Sequence, residues 1–339
     1  MTAEIAGEAG APRTPTPVSI LGTGSYVPSR VITNDDVGST AGVDDEWIVR
    51  KTGIHERRYG KDDEATSDLA AAAARAALEN AGVSVADLSL IIVATSTPDS
   101  PQPPTATVVA ELLQTPSTAA AFDLNSVCSG FVYALSAARS MIAGGGYALV
   151  IGADMYSRIT DPTDPRTRVL WGDGAGAVVL GPATGRRAVT ATRLLTYTEG
   201  HDLIKVPAGG TRMGTTAQTL AEGAHYFTMN GRGVKEAVYT TLPETLQTFL
   251  DDAGIDKAEV SHIVPHQANG VMLAELDQSL GFPRARMHTT VTRYGNTGSA
   301  SIPITLDAAA RQQALGPGEK VLLCAFGGGF NLGFALIEW

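Results

Sequence analysis

The chain repeats itself. Leu78 to Thr95 (LENAGVSVADLSLIIVAT) and Leu250 to Gln267 (LDDAGIDKAEVSHIVPHQ) stand 172 residues apart and share Ala81/Ala253, Gly82/Gly254, Ala86/Ala258, Ser89/Ser261 and Ile91/Ile263, with Asp87 answered by Glu259. Each stretch reads as a helix end, a glycine stop, a short loop and a buried strand. A second similar pair follows: NSVCSGFVYALSAAR from Asn125 and NTGSASIPITLDAAAR from Asn296, small-residue turns that open apolar-periodic helices. Buried strands come next in both places, at Tyr147 to Ala153 and Lys320 to Ala325. Alternating strands and helices look alike by composition alone, but a common order and spacing of three elements argues for a duplicated α/β unit. Each half is then a mostly parallel sheet covered by helices. Ligand sites in such sheets gather beyond the carboxyl ends of the strands.

At 339 residues, 44% hydrophobic and with 37 glycines, the chain has the composition of a globular protein rich in tight turns. Its net charge of −10 gives no long-range attraction to nucleic acid or to an anionic membrane. Two cysteines, Cys128 and Cys324, exclude a disulfide scaffold and suit a reducing compartment, although one bridge stays open. The first sixteen residues lack the basic start and apolar stretch of a secretory signal, and no apolar run reaches the roughly 18 residues of a membrane span. The expected location is cytoplasmic. The expected organisation is a frayed tail over 1–16, an N-terminal half over 17–184 carrying Cys128, and a C-terminal half over 185–339 carrying His266 and Asn296.

Four features carry candidate chemistry. Cys128 sits in a tight turn between a buried strand, Ala119 to Asn125, and a helix, Phe131 to Ile142. Ser126, Ser129 and Gly130 keep that turn small, and the helix start turns unpaired N–H groups and its positive dipole end toward the sulfur. Such a setting lowers a thiol pKa from its usual value of about 8.5, which favours the nucleophilic form. A buried inert thiol is the commoner fate of cysteine, and Cys324, in the apolar run VLLCAF, reads that way. Pro265-His266-Gln267-Ala268-Asn269 follows the strand ending at Val264. Tyr294-Gly295-Asn296-Thr297-Gly298-Ser299 follows an expected strand around Met287 to Thr292. By the duplication, the Asn296 turn is the counterpart of the Cys128 turn, so the pseudo-twofold axis brings both to one crevice, with His266 beside them. A lone His or Asn in a loop is usually a surface or capping residue; their joint placement is the argument.

Cysteine, histidine and asparagine also form the constellation of papain-type peptidases. The duplicated α/β chain, and the absence of that class's Gly, Cys and Trp pattern around Cys128, speak against this reading. Phe326-Gly327-Gly328-Gly329-Phe330 follows a buried strand and offers either a tight hairpin turn or a main-chain N–H that pairs with that of Cys128 as an oxyanion hole. Trp171 to Ala177 is Gly-rich but lacks a phosphate-binding Lys and leads into a strand, so it is not a nucleotide loop. No spacing suggests a metal site.

Taken together, these motifs resemble ketoacyl-ACP synthase III, a thiolase-like condensing enzyme. The resemblance runs from about Val18 to Trp339 and includes GTGSYVP at Gly22, DEWIVRKTGI at Asp45, the Cys turn, DPTD at Asp161, GDGAGA at Gly172, PHQAN, GNT and FGGGF. It implies a thiolase-like α/β fold of duplicated αβαβα layers, with two mostly parallel sheets related by a pseudo-twofold, and a homodimer. It implies that Cys128 takes an acyl group from acyl-CoA, a substrate and not a permanently bound cofactor. His266 and Asn296 then donate hydrogen bonds to the enolate formed when malonyl on acyl carrier protein loses carbon dioxide. The N–H groups of Cys128 and Gly328 hold the thioester oxyanion. For coenzyme A the resemblance implies Trp47, Lys51, Thr52, Gly231 and Asn269, and for carrier docking Arg232 and Lys235.

The departures from the family pattern are specific. Lys51 replaces a guanidinium with an ammonium, which removes planar stacking. Pro165 stands where the family has a basic residue, with Arg166 one place later. PHQAN is followed by Gly270-Val271 instead of Leu-Arg, and Glu236 occupies a basic docking position, so the carrier surface is altered. The segment Asp202 to Met213, containing KVPAGGTRM, is similar to relatives in specialised metabolism, and Gln102 points to an unusual starter. Decarboxylative condensation is the expected reaction. The competing reaction is a non-decarboxylating transfer of the Cys128-bound acyl group to a carrier or a hydroxyl, and the competing non-enzymatic role is a binding module.

Overall fold

The computed structural model describes residues 17–183 and 185–339; the expected tail lies outside the described residues. The repeated Ala-Gly step ends a helix in the same way twice. Gly82 (φ 64°) and Gly254 (φ 67°) are left-handed caps whose N–H groups return to Leu78 and Glu79, and to Leu250 and Asp251. Only glycine adopts that conformation without strain. Each cap leads into a one-turn 3-10 helix, closed by Ser84 in one half and Asp256 in the other, and then into a strand.

The principal strands are β1 (Val18–Tyr26), β2 (Leu88–Ala94), β3 (Ala120–Leu124), β4 (Tyr147–Met155), β5 (Asp173–Pro182), β6 (Ala188–Thr196), β7 (Val260–Pro265), β8 (Arg286–Met287), β9 (Lys320–Gly327) and β10 (Asn331–Glu338). The helices that matter here are α1 (Asp45–Thr52), α2 (Thr66–Ala81), α3 (Thr105–Leu113), α4 (Gly130–Met141), α5 (Gly231–Ala253), α6 (Gly270–Leu280), α7 (Val291–Tyr294) and α8 (Ser301–Arg311). Strand order is β8-β7-β9-β10-β6-β1-β5-β4-β2-β3. Adding five to every strand number of the order β3-β2-β4-β5-β1 gives β8-β7-β9-β10-β6, so the duplication read from the sequence is a duplication of topology.

Within each half the first three strands are parallel, and β5 or β10 runs against its neighbours. The two mostly parallel halves also touch edge to edge, through the antiparallel pair Ser19–Ala188, and so form one mixed sheet.

Helices α4 and α8, the two that follow the small-residue turns, lie between the halves. Phe131, Leu135 and Ala138 of α4 and Ile302, Leu306 and Ala309 of α8 share one core with Ile20, Ile92 and Val150 of the first half and Val321, Leu323 and Ala335 of the second. Helix α2 covers the other face of the first half with an alanine-rich surface (Ala70, Ala73, Ala74, Ala77) that brings its backbone close to the sheet. The GDGAGA stretch is the start of β5. A Cβ on Gly176 would stand 2.6 Å from the Ile304 nitrogen and 2.8 Å from the Pro303 Cβ, so this glycine exists to let α8 sit on the sheet. We predict that Gly176→Val lowers unfolding stability by about 1–3 kcal/mol, the usual cost of overpacking. An unchanged urea midpoint would show that α8 does not press on the sheet as described.

Candidate active site

Cys128 is presented by a turn under backbone strain. After β3, Asn125 Oδ1 accepts the Val127 N–H (3.0 Å) and Val127 takes φ 48°, a left-handed conformation that a β-branched residue rarely adopts. The chain then turns through Val127–Ser129 into α4, and the Ser129 hydroxyl donates to the Asn331 carbonyl (2.8 Å), tying the turn to β10. The three glycines opposite divide the work. A Cβ on Gly327 would lie 2.8 Å from that of Cys128, Gly328 turns its N–H to the sulfur, and Gly329 (φ 72°) bends the chain into β10.

The thiol is 3% exposed, and burial pushes its pKa up to about 12, with the Asp154 carboxylate acting in the same direction. The N–H groups of Gly328 and of Cys128 itself, and the Tyr156 hydroxyl, oppose this. The expectation that the turn favours the thiolate is therefore corrected: loss of water outweighs the N–H groups and the Tyr156 hydroxyl that face the sulfur, and the resting group is a neutral thiol. Cys324, buried within β9, is pushed up to about 12 by burial alone.

His266 follows β7 and is 2% exposed. Its N–H donates to the Cys324 carbonyl (2.8 Å), its Nδ1 lies 2.8 Å from Ser301 Oγ, and its ring stands edge-on to Phe326. Burial lowers its pKa from 6.5 to about 3, so the ring is neutral.

Asn296 reaches the site by a route the sequence reading did not foresee. The strand expected around Met287 to Thr292 is only β8, and the short helix α7 carries the chain onward. The cause is Gln267, 1% exposed, whose Oε1 accepts the N–H groups of Thr290 and Val291 (2.8 and 3.2 Å) and so starts a helix where a strand would continue. Asn296 then pairs as a bridge with Trp171: its N–H donates to Leu170 C=O (2.8 Å) and its C=O accepts from Gly172 N–H (2.9 Å). Its Oδ1 accepts from Gly298 N–H (2.9 Å), which leaves the Nδ2 hydrogens for a guest.

These side chains meet. Cys128, His266, Asn296, Trp171, Phe326 and Gly327 line one cavity of about 220 Å³, which shares Met229 and Gly231 with an outer cleft of about 840 Å³. Of the residues expected along an entry tunnel, Lys51, Gly231 and Asn269 line the inner cavity. Arg166 and Arg232 line the cleft. Trp47 and Thr52 stand outside that lining. Trp47 is half-buried on α1, and the Thr52 hydroxyl donates to Ile48 C=O (2.7 Å) and accepts the Ile54 N–H (3.1 Å). Lys235 lines the cavity, but its ammonium is paired with Glu275 (2.6 Å); Glu236 and Val271 are exposed nearby.

Sequence reasoning missed the support beneath the site. Asp154, at the end of β4, is fully buried. Its Oδ1 accepts from Thr95 Oγ1 (3.2 Å), Ser96 N–H (2.8 Å) and Thr97 Oγ1 (3.0 Å), and its Oδ2 accepts from Ser299 N–H (2.7 Å). Tyr156 stacks on Trp171 at 3.8 Å, and Phe227 meets both edge-on, so an aromatic wall backs the cavity. One signal was available, an aspartate in the otherwise apolar strand ALVIGADM.

A neutral thiol, a neutral imidazole and an amide donor around one mostly apolar cavity, reached from a cleft that carries arginines, suit acyl transfer between thioesters. The fold and the site define an acyl-transferring enzyme of the thiolase-like class. Comparison with known proteins narrows this. The models for 3-oxoacyl-[acyl-carrier-protein] synthase III and for its C-terminal region match residues 122–198 and 250–339. An acetoacetyl CoA synthase, NphT7, of Streptomyces sp. strain CL190 is 57% identical over 94% of this chain and 98% of its own length. A beta-ketoacyl-[acyl-carrier-protein] synthase III of Thiobacillus denitrificans is 42% identical over 94% of this chain and 98% of its own. Among solved structures, a synthase III of Pseudomonas aeruginosa (35% identical, TM-score 0.86) and a priming β-ketosynthase of the R1128 polyketide pathway (30% identical, TM-score 0.87) cover 95% and 96% of this chain and 98% of each of theirs. The chain belongs to the 3-oxoacyl-[acyl-carrier-protein] synthase III family of condensing enzymes.

The lowered pKa of His266 makes a stability prediction. Its folded value, about 3, lies below the ordinary 6.5, so the unfolded chain binds this proton more readily. The contribution is present above pH 6.5 and is lost as pH falls toward 3, at up to about 1.4 kcal/mol per pH unit. His266→Asn is expected to flatten the stability–pH curve in that window, as measured by denaturant titration. An unchanged slope would mean that the ring is not buried neutral.

Proposed function

We propose that this enzyme carries an acyl group from acyl-CoA on Cys128 and condenses it with a malonyl thioester as carbon dioxide leaves. The observation that carries this reading is the meeting of Cys128, His266 and Asn296 in one cavity. In the first half-reaction the sulfur attacks the acyl-CoA carbonyl, the N–H groups of Cys128 and Gly328 take the oxyanion, and the coenzyme leaves as a thiol with the proton that Cys128 loses. In the second, the malonyl carboxylate departs as carbon dioxide. The electron pair it leaves forms an enolate whose oxygen accepts from His266 and Asn296. The enolate carbon attacks the Cys128 thioester, the β-ketoacyl thioester departs, and the freed thiolate takes a proton from solvent.

Simple acyl transfer needs no enolate stabiliser, so the presence of both donors supports condensation. The N-terminal end of α4 and the backbone N–H groups supply the polarity that draws the buried thiol into reaction once a thioester fills the cavity.

The carrier of the malonyl group is a separate question, and the mouth of the cavity bears on it. Lys235 is held by Glu275, Glu236 is exposed beside it, and the apolar Val271 is 37% exposed. An acidic carrier protein would meet Glu236 and the apolar Val271 there, and Lys235 is already paired. The relative sharing 57% identity is named for a coenzyme A product, acetoacetyl CoA. Both points support malonyl-CoA as the acceptor, with malonyl-carrier protein, which the family name prints, as the competitor. Lys51 and Arg232, beside Arg166 that Asp164 already pairs (2.9 Å), supply positive charge for a coenzyme A phosphate.

Two outcomes are expected. His266→Ala and Asn296→Ala retain the acyl adduct on Cys128, read by intact mass, and lose about 10²–10³-fold in carbon dioxide release, the usual cost of removing a preorganised donor. Undiminished release in both would remove the enolate role. With the wild-type enzyme, kcat/KM for malonyl-CoA exceeds that for malonyl-carrier protein, and Glu236→Lys combined with Val271→Arg narrows the gap without changing acyl loading. A wild-type preference for the carrier protein overturns the acceptor assignment.

A further inference from the structure

His266 has two ring nitrogens, and its role depends on which one holds the proton. With the proton on Nε2 the ring is a donor toward the cavity; with the proton on Nδ1 it is a base. The neighbour that decides between them is Ser301, the first residue of α8, fully buried and with its Oγ 2.8 Å from Nδ1.

The Ser301 hydroxyl has no other hydrogen-bond partner among the described residues. A buried hydroxyl must place its hydrogen, and a buried donor left without an acceptor is costly. If Nδ1 donated to Ser301 Oγ, the serine hydrogen would be stranded. If Ser301 donates to Nδ1, both groups are satisfied and the ring proton is left on Nε2. Among the described residues no other group hydrogen-bonds the ring: the His266 backbone N–H goes to Cys324 C=O, and Phe326 presents an aromatic ring.

We infer that Ser301 is a positioning residue that fixes His266 in its Nε2–H tautomer, so that His266 meets the substrate as a hydrogen-bond donor and not as the base that deprotonates Cys128. The inference deepens the proposed condensation and rests on it for its catalytic consequence. Ser301 is itself held in place by the fold: Thr305 Oγ1 donates to its carbonyl (2.8 Å), and two residues before it Ser299 is tied to Asp154. The serine that orients the histidine therefore belongs to the same turn that presents Asn296, and both enolate donors are set by one segment of the second half.

The test uses protein labelled with ¹⁵N-histidine, with the His266 signals assigned by their loss in His266→Asn. In the wild type, Nδ1 is expected to resonate as an unprotonated, pyridine-type nitrogen and Nε2 as a protonated, pyrrole-type one; the reverse pattern overturns the inference. In Ser301→Ala, the Nδ1–H form is expected to appear and condensation to fall about tenfold, the rate equivalent of one hydrogen bond. Acylation of Cys128 by acyl-CoA is expected to change by less than about twofold. Ser301→Ala with both the tautomer and the condensation rate unchanged also overturns it. If this variant does not fold, the wild-type spectrum still decides. A wild-type enzyme that forms no acyl adduct or releases no carbon dioxide, while keeping the Nε2–H form, defeats the condensation reading and leaves the tautomer assignment standing.

Discussion

One buried carboxylate holds the two halves of this enzyme in register where it matters. Asp154 ends a strand of the first half, and its two oxygens look in different directions. One gathers the chain after β2, through Thr95, Ser96 and Thr97; the other takes Ser299, in the second half's turn between Asn296 and α8. A buried charge without such donors costs several kcal/mol, so the arrangement is close to obligatory once the aspartate is inside. By capturing the Ser299 N–H, Asp154 fixes the turn that presents the Asn296 amide and starts α8 with Ser301 beneath His266. The same carboxylate adds to the burial that keeps the Cys128 thiol protonated. Site geometry and the quietness of the resting nucleophile share a cause.

The charged side chains that line the cavity are Lys51 and Lys235, and Lys235 is paired with Glu275. The thiol and the imidazole are both held neutral by burial, and the wall behind them is Trp171, Tyr156 and Phe227. In the proposed reaction, decarboxylation places the enolate oxygen against the N–H donors of His266 and Asn296. The outer cleft is of mixed charge: Arg232, Lys205 and Arg166 line it beside Asp202 and Asp164, and Arg166 is paired with Asp164.

The duplication, the three polar residues and the glycine run opposite Cys128 were legible in the sequence because each is local: an Ala-Gly cap, a small-residue turn before an apolar helix, a glycine run after a strand. What could not be read is non-local. The strain at Val127 has no signature in the residue itself, and the contact of Gly327 with Cys128 depends on how the end of β9 meets the turn of the first half. The expected strand before Asn296 failed because the Gln267 side chain, twenty-three residues earlier, takes the N–H groups of Thr290 and Val291. The thiol's protonation was misjudged because a helix start is visible in sequence, whereas complete burial of its end by another half of the molecule is not. Thr52, a tunnel residue by resemblance, spends its hydroxyl on its own helix.

The account stands on a single stoichiometry. Enzyme acylated on Cys128 with an isotopically labelled acyl group, freed of excess acyl-CoA and then mixed with malonyl-CoA, is predicted to release one carbon dioxide for each acyl group that leaves the sulfur, with the label recovered in a product two carbons longer. Loss of the acyl group without carbon dioxide, or carbon dioxide release with the acyl group still on Cys128, would contradict it.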